Sequence, residues 1–160
     1  DLHSFPTRRS SDLLTTKGRY AVTALLDLSL NQSGKKFISI SQIASRQTIP
    51  VSYLEQLFRN LRRAGIVESA RGPGGGYRLS RPSTEINVSE VVASVEDKMD
   101  ATQCGGATDC NSGKRCLTHD LWTELNEQVD SFLLNKSLQD VIKNKRTSLA
   151  RKQEGLIVTG

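Results

Sequence analysis

All three cysteines of the chain and one of its two histidines fall in a single stretch, Cys104 to His119, which reads CGGATDCNSGKRCLTH. Cys104, Cys110 and Cys116 follow one another at six-residue steps, and His119 comes three positions after the last. Thiolate and imidazole are the ligands that soft and borderline metals select. Between them stand Gly, Ala, Thr, Asp, Asn, Ser, Lys and Arg, with Leu117 the one sizeable apolar residue. Such a segment has little surface to bury against its ordering entropy, and four ligands converging on a metal would supply that free energy instead. Three chemistries compete. Structural zinc on Cys₃His is ordinary, but zinc ligands usually pair roughly two to four residues apart, and only Cys116 to His119 is that short. A disulfide leaves one cysteine over and the histidine unexplained. An iron–sulfur cluster tolerates wider spacing, and an imidazole in place of a thiolate alters its charge and potential. On the residues alone, zinc and iron–sulfur stand level. The odd cysteine count argues against a secreted disulfide framework and for a reducing, cytoplasmic compartment.

The elements around this stretch must position it. A chain of 160 residues with 36% hydrophobic and 5% aromatic residues allows one domain, or a small domain with a helical appendage, and its lean core would profit from a second subunit. No apolar run approaches the roughly 20 residues of a spanning helix, so no membrane role is expected. Residues 1–13 show no helical or strand period and read as a disordered tail or as sequence foreign to the fold. The one methionine is Met99, so the native N-terminus is expected to be missing or replaced. From Thr15 or Thr16 to about Asn31, Ala21, Ala24, Leu25 and Leu28 form a helical stripe. Phe37, Ile38 and Ile40 suit a short extended piece. Ser39 or Ser41 can cap a second helix bearing Ile43 and Ala44. A turn through Pro50 leads to a third, Val51 to about Ala64, whose buried stripe is Leu54, Leu57, Phe58 and Leu61 and whose end is Gly65.

That pair of helices has the helix-turn-helix pattern. Two strand-like runs follow, Ile66 to Ser69 and Tyr77 to Ser80, joined by Arg71-Gly72-Pro73-Gly74-Gly75-Gly76. A helix-turn-helix followed by a hairpin is a winged helix. A phosphate-cradling P-loop is excluded, because it needs Gly-Lys-Ser/Thr opening a helix and this loop ends in Gly-Tyr opening a strand. A further short helix, capped by Asn87 or Ser89, carries Val91, Val92 and Val95. Beyond the cysteines, Leu117, Leu121, Leu125, Val129, Phe132 and Leu133 recur at helical steps along a helix best buried against a second copy, or else against the first helix. Ser137 caps a last short helix through Leu138, Val141 and Ile142, and the polar chain past Lys143 is expected to fray. The expected organisation is a tail over 1–13, a winged helix-turn-helix domain over 14–96, a ligand-bearing loop over 97–118, a dimerisation helix and short C-terminal helix over 119–145, and a flexible tail over 146–160. The fold class is mainly α with a small β-hairpin.

Charge supports a nucleic-acid partner. Residues 1–81 hold 13 Lys/Arg against 5 Asp/Glu, a balance of +8, whereas residues 82–160 hold 9 against 12, a balance of −3. A basic first half is the footprint of a DNA contact. Ser52, Tyr53, Glu55 and Gln56 start the third helix, where base edges are met, and Arg59, Arg62 and Arg63 lie further along. Glu55 fits two roles equally: with Ser52 it forms a capping-box pattern, or it faces the groove and rejects sites lacking a matching donor. Arg71 at the wing is a candidate for a minor-groove or phosphate contact. Thr16, Lys17, Arg19 and Tyr20 at the first helix start are candidates for phosphate.

Three segments, LTTKGRYAVTALLDLSL, SYLEQLFRNLRRAGIVESARGPGGGYRLS and CLTHDLW, closely resemble the IscR family of bacterial iron–sulfur cluster regulators, over about residues 14–145. The wing marks the wider winged-helix superfamily, and the Cys104, Cys110, Cys116, His119 set marks this branch. Nitric-oxide-sensing relatives share similar cysteine spacing, but His119 followed by Asp120-Leu121-Trp122 looks like the cluster-biogenesis branch. The resemblance implies a homodimer with one 2Fe–2S cluster per subunit on three Cys and one His. It further implies double-stranded DNA and cluster-donating assembly proteins as partners, and control of iron–sulfur assembly genes rather than catalysis. Pro50 departs from the family, whose members often have a polar cap there, and this bears on the recognition-helix cap. The competing readings are a zinc-stabilised or nitric-oxide-responsive winged-helix repressor, and an electron-transfer module that would have no need of the basic helix-turn-helix.

Overall fold

The apolar stripe of the first helix, α1 (Thr16–Asn31), buries Ala21, Ala24, Leu25 and Leu28 completely. It is the central strut of the computed structural model, which describes residues 16–96 and 117–157. Around it come α2 (Ile40–Gln47), α3 (Val51–Arg63), the hairpin β1 (Val67–Ala70) and β2 (Gly76–Leu79), α4 (Val88–Val95), α5 (His119–Leu134) and α6 (Leu138–Ile157). The architecture is mainly helical with one two-stranded antiparallel hairpin. One core joins α1, α2, α3, α4, the hairpin and the first turn of α6, through residues such as Ile43, Phe58, Ile66, Ile86, Val91 and Leu138.

Local chemistry explains the boundaries. Ser39 caps α2 in a reciprocal box with Gln42. The α2 C-cap is Thr48, at φ 55°, with the Ile49 N–H bonding the Ala44 carbonyl at 3.2 Å; this is the tight turn between the two helices. Gly65, at φ 77°, stops α3, with Gly65 N–H bonding the Arg62 carbonyl and Ile66 N–H the Leu61 carbonyl, both at 3.0 Å. The buried face of α3 is Leu54, Leu57, Phe58 and Leu61, each worth about 1.5–3 kcal/mol on transfer from water. Asn87, not Ser89, caps α4 by accepting from the Glu90 N–H at 2.8 Å. Buried Asp27 of α1 locks α2 in place by accepting from Arg46 Nη2 at 2.6 Å and Gln47 Nε2 at 2.7 Å, which raises the Arg46 pKa further.

The strands sit one residue from their expected limits, with Val67 paired to Leu79 and Ala70 to Gly76. Ile38 and Tyr77 exchange backbone bonds of 2.9 and 2.8 Å, so the expected extended piece is a single bridge against β2. The larger correction is at the C-terminus. The last helix, expected to stop near Lys145 and fray, runs from Leu138 to Ile157. Its Gln, Lys, Arg, Ala and Glu are good helix formers and no proline interrupts them, so a polar sequence here still forms a helix.

Candidate nucleic-acid interface and metal-ligand segment

With Leu54, Leu57, Phe58 and Leu61 facing inward, α3 turns the remaining residues out. Ser52, Glu55, Gln56, Arg59, Arg62 and Arg63 are all exposed. Ser52, Gln56, Arg59 and Arg63 fall at steps of four, three and four, so they form one row along the helix. Glu55 stands beside that row and, among the described residues, has no ion-pair partner. The capping-box alternative for Glu55 is not met: Pro50 is the N-cap, at φ −56° and ψ 134°, and no side chain caps the helix. Ser52 is already the second helical residue, two positions past the N-cap and too deep to act as a cap. The departure at Pro50 therefore does remove the side-chain cap, and the first turn relies on the Leu54 N–H bonding the Pro50 carbonyl at 3.1 Å.

Tyr53 differs from its neighbours. It is half-buried, and its ring meets Tyr20 of α1 edge to face at 5.5 Å and 89°. Burial, then the neighbouring Tyr20, then Glu96 push its phenol above the ordinary value. Lys17 and Arg19 project from the same turn of α1 and are exposed. One amide of that turn is already taken, because the Gly18 N–H donates to Glu96 Oε1 at 2.9 Å. Nothing in the sequence flags Glu96, which lies 78 positions from Gly18 and becomes relevant only through the packing of α4 on α1.

The wing is anchored to α3 by Tyr77, whose ring lies 4.8 Å from that of Phe58. Arg71 is exposed just after β1. Arg78, by contrast, is bound at the wing's base: it pairs with Glu68 at 2.8 Å, covers the Phe37 ring at 4.6 Å and donates to the Lys35 carbonyl. The tip turns at Gly72 and Gly74, with φ of 87° and 74°. At Gly76 the chain passes so close to Ile38 that a Cβ would overlap the Ile38 carbonyl.

Of the ligand set, Cys104, Cys110 and Cys116 lie outside the described residues, and His119 lies within them. His119 is the first residue of α5 and the one buried residue of that helix. Its carbonyl accepts from Thr123 Oγ1 at 2.9 Å, and the preceding Thr118 accepts from Trp122 Nε1 at 3.1 Å. Along α5, Leu121 and Phe132 are 57% and 61% exposed, and Leu125 and Val129 are half-buried. The expected apolar stripe exists and is not covered by α1. The helix rests on α4. Among the described residues, no helix is long and apolar enough to cross a membrane.

Comparison with known proteins agrees with this geometry. The chain is 54% identical over 133 residues to an HTH-type transcriptional regulator of Neisseria meningitidis, covering 82% of this chain and 88% of the relative. It is 51% identical over 131 residues to the HTH-type transcriptional regulator IscR of Vibrio atlanticus, covering 82% and 75%. Among solved structures, T. potens IscR superposes with a TM-score of 0.67 at 31% identity over 82% of this chain and 87% of that one. CymR, the global cysteine regulator of B. subtilis, superposes with a TM-score of 0.70 at 27% identity over 82% and 96%. Relatives of this similarity are named as regulators of transcription, and the chain is accordingly a regulator and not an enzyme. Residues 14–144 match the model of the Rrf2 family, described as iron-dependent transcriptional regulators, and the chain belongs to that family.

Proposed function

We propose that this regulator binds double-stranded operator DNA as a homodimer and reports iron–sulfur status through a 2Fe–2S cluster on Cys104, Cys110, Cys116 and His119, controlling genes of cluster assembly. The observation that carries this reading is the outward row on α3 joined, through α4, to a segment holding three thiols and a buried histidine. Ser52, Glu55, Gln56 and Arg59 would meet base edges, Arg71 the minor groove or a phosphate, and Lys17 and Arg19 the backbone. Tyr53, set against Tyr20, would support this surface more than read from it.

Four donors match the number of protein ligands a 2Fe–2S cluster takes, and mixed sulfur and imidazole ligation suits it. When bound, the cluster supplies ligation free energy to a segment that has few apolar residues to order it. His119 must give its neutral imidazole nitrogen, so the cluster should be held more weakly at low pH. Occupied and empty forms then differ in affinity for DNA only as far as the ligated segment alters how α3 and the wing are presented. Cluster-donating assembly proteins are the partners such a site requires.

Anaerobic purification is the direct test. A coloured protein containing iron and sulfide, whose gel-shift pattern changes on cluster loss, supports the reading. A colourless protein containing zinc would overturn it in favour of a zinc-stabilised repressor, and cluster release by nitric oxide alone would favour a nitric-oxide-responsive one. A second outcome concerns the histidine. In His119→Cys a thiolate replaces the imidazole, so cluster loss should slow by about tenfold or more and its pH dependence should weaken. Unchanged loss rates would remove His119 from the ligand set.

A further inference from the structure

Glu96 stands at a junction that the proposed DNA contacts do not include. It is the C-cap residue of α4, its N–H bonding the Val92 carbonyl at 2.9 Å. Its side chain reaches across to α1, where Oε1 accepts from the N–H of buried Gly18 at 2.9 Å. First-turn amides of a helix carry positive partial charge, so a carboxylate is held there by a charge-assisted bond. Two residues along that turn, Tyr20 meets Tyr53 of α3 at 5.5 Å, and the Glu96 charge is close enough to Tyr53 to help raise its phenol pKa. Contacts thus run from the end of α4 to the first turn of α1, then through two aromatic rings to the first turn of α3. In sequence, Glu96 lies eight residues before Cys104.

We propose that Glu96 is a positioning residue for DNA recognition: by holding the first turn of α1 against the Tyr20–Tyr53 pair, it sets how Ser52, Glu55 and Gln56 are presented. This rests on the assignment of α3 as the DNA-reading helix. Its distinctive consequence is selective. Loss of the carboxylate changes which sequences are preferred more than how strongly DNA is bound, because the exposed cations remain in place.

The test uses the full-length chain with Glu96→Gln, which keeps an oxygen acceptor without the charge, and Glu96→Ala, which removes both. In ¹³C-tyrosine NMR titrations, the Tyr53 midpoint should fall in both variants. Affinity should be compared between a preferred operator and versions altered at the base pairs facing α3. The ratio should shift by about five- to tenfold in Glu96→Ala and less in Glu96→Gln, in the range of site-to-site couplings, with non-specific binding at low salt unchanged. Equal weakening on every sequence, with a lowered melting temperature, would reduce Glu96 to a structural cap and overturn the proposal. An unmoved Tyr53 titration would overturn it too. Failure of the unmodified chain to bind any DNA would sink the reading of α3 and with it the specificity role, while the tyrosine titration would still judge the Glu96–Tyr53 link separately.

Discussion

Glu55 is a carboxylate on a surface otherwise lined by Ser52, Gln56, Arg59, Arg62 and Arg63. Near phosphates it is repelled, and it becomes tolerable only where a base offers a donor such as the cytosine amino group. Replacing it with alanine should therefore raise affinity for operators lacking that donor by about tenfold, the low end of a base-contact discrimination. Affinity for operators that have the donor should fall. Because Glu55 caps nothing, the melting temperature should hardly move, within the about 0.5 kcal/mol typical of surface substitutions. Competition gel shifts at fixed salt, with thermal melts alongside, check both halves. A clear loss of stability would restore Glu55 to a capping role. The sequence could not choose between these roles, since Ser52-x-x-Glu55 fits a capping box and a reading face alike. The choice lies in where the helix begins, and Pro50 moves that point two residues upstream of Ser52.

Each element is held by a few residues whose removal has a directed effect. The wing depends on Gly76, at φ 140° and pressed against the Ile38 carbonyl. Gly76→Ala would force β2 away from Ile38 and loosen the ring contact between Tyr77 and Phe58. It should cost about 2–3 kcal/mol by the combined strain and overlap, measured by urea unfolding, with weakened operator binding. An unchanged midpoint would mean the bridge is dispensable. The start of α6 is a reciprocal cap: Ser137 Oγ accepts from the Asp140 N–H at 3.1 Å, and Asp140 Oδ2 accepts from the Ser137 N–H at 3.0 Å. The bond from the Ser137 N–H, then that with its hydroxyl, hold the Asp140 carboxyl below its ordinary value against a little desolvation, and Lys136 and Lys143 add to this. A depressed folded-state pKa makes this support complete above the ordinary carboxylate range, and it is lost as pH falls through that range and below. Asp140→Asn should lack this acid-dependent increment, so melting temperatures of the two proteins should converge on acidification. Parallel melting curves at all pH values would assign the cap no such role. Elements with periodic apolar residues or glycine stops, such as α1 and α3, are legible in the sequence to within a residue or two. The polar second half of α6 is not, because few apolar residues mark a helical period there, and neither is the Gly18–Glu96 contact, which only packing creates.

At the scale of the molecule, the unburied length of α5 bears on the proposed homodimer. The chain buries its core around α1, yet leaves Leu121, Trp122, Phe132 and Leu134 well exposed, with Leu125 and Val129 half-covered. Among the described residues no further element covers this face, and a second copy would offer the same stripe by two-fold symmetry. Dimerisation would set two α3 helices a fixed distance apart, so that each reads one half-site of a paired operator. The substitutions Leu121→Glu and Phe132→Glu together place two carboxylates on that face without touching Leu138 or Ile142, which anchor α6 in the core. The variant should keep its helical content and melt within a few degrees of the parent as a monomer, yet sediment as one subunit. Affinity for a two-half-site operator should fall by about a hundredfold, because the second half-site loses the effective concentration that linkage supplies, whereas affinity for a single half-site should stay the same. A variant that remains dimeric would place the interface elsewhere. Equal losses on one and two half-sites would mean that dimerisation shapes each reading head rather than joining the two.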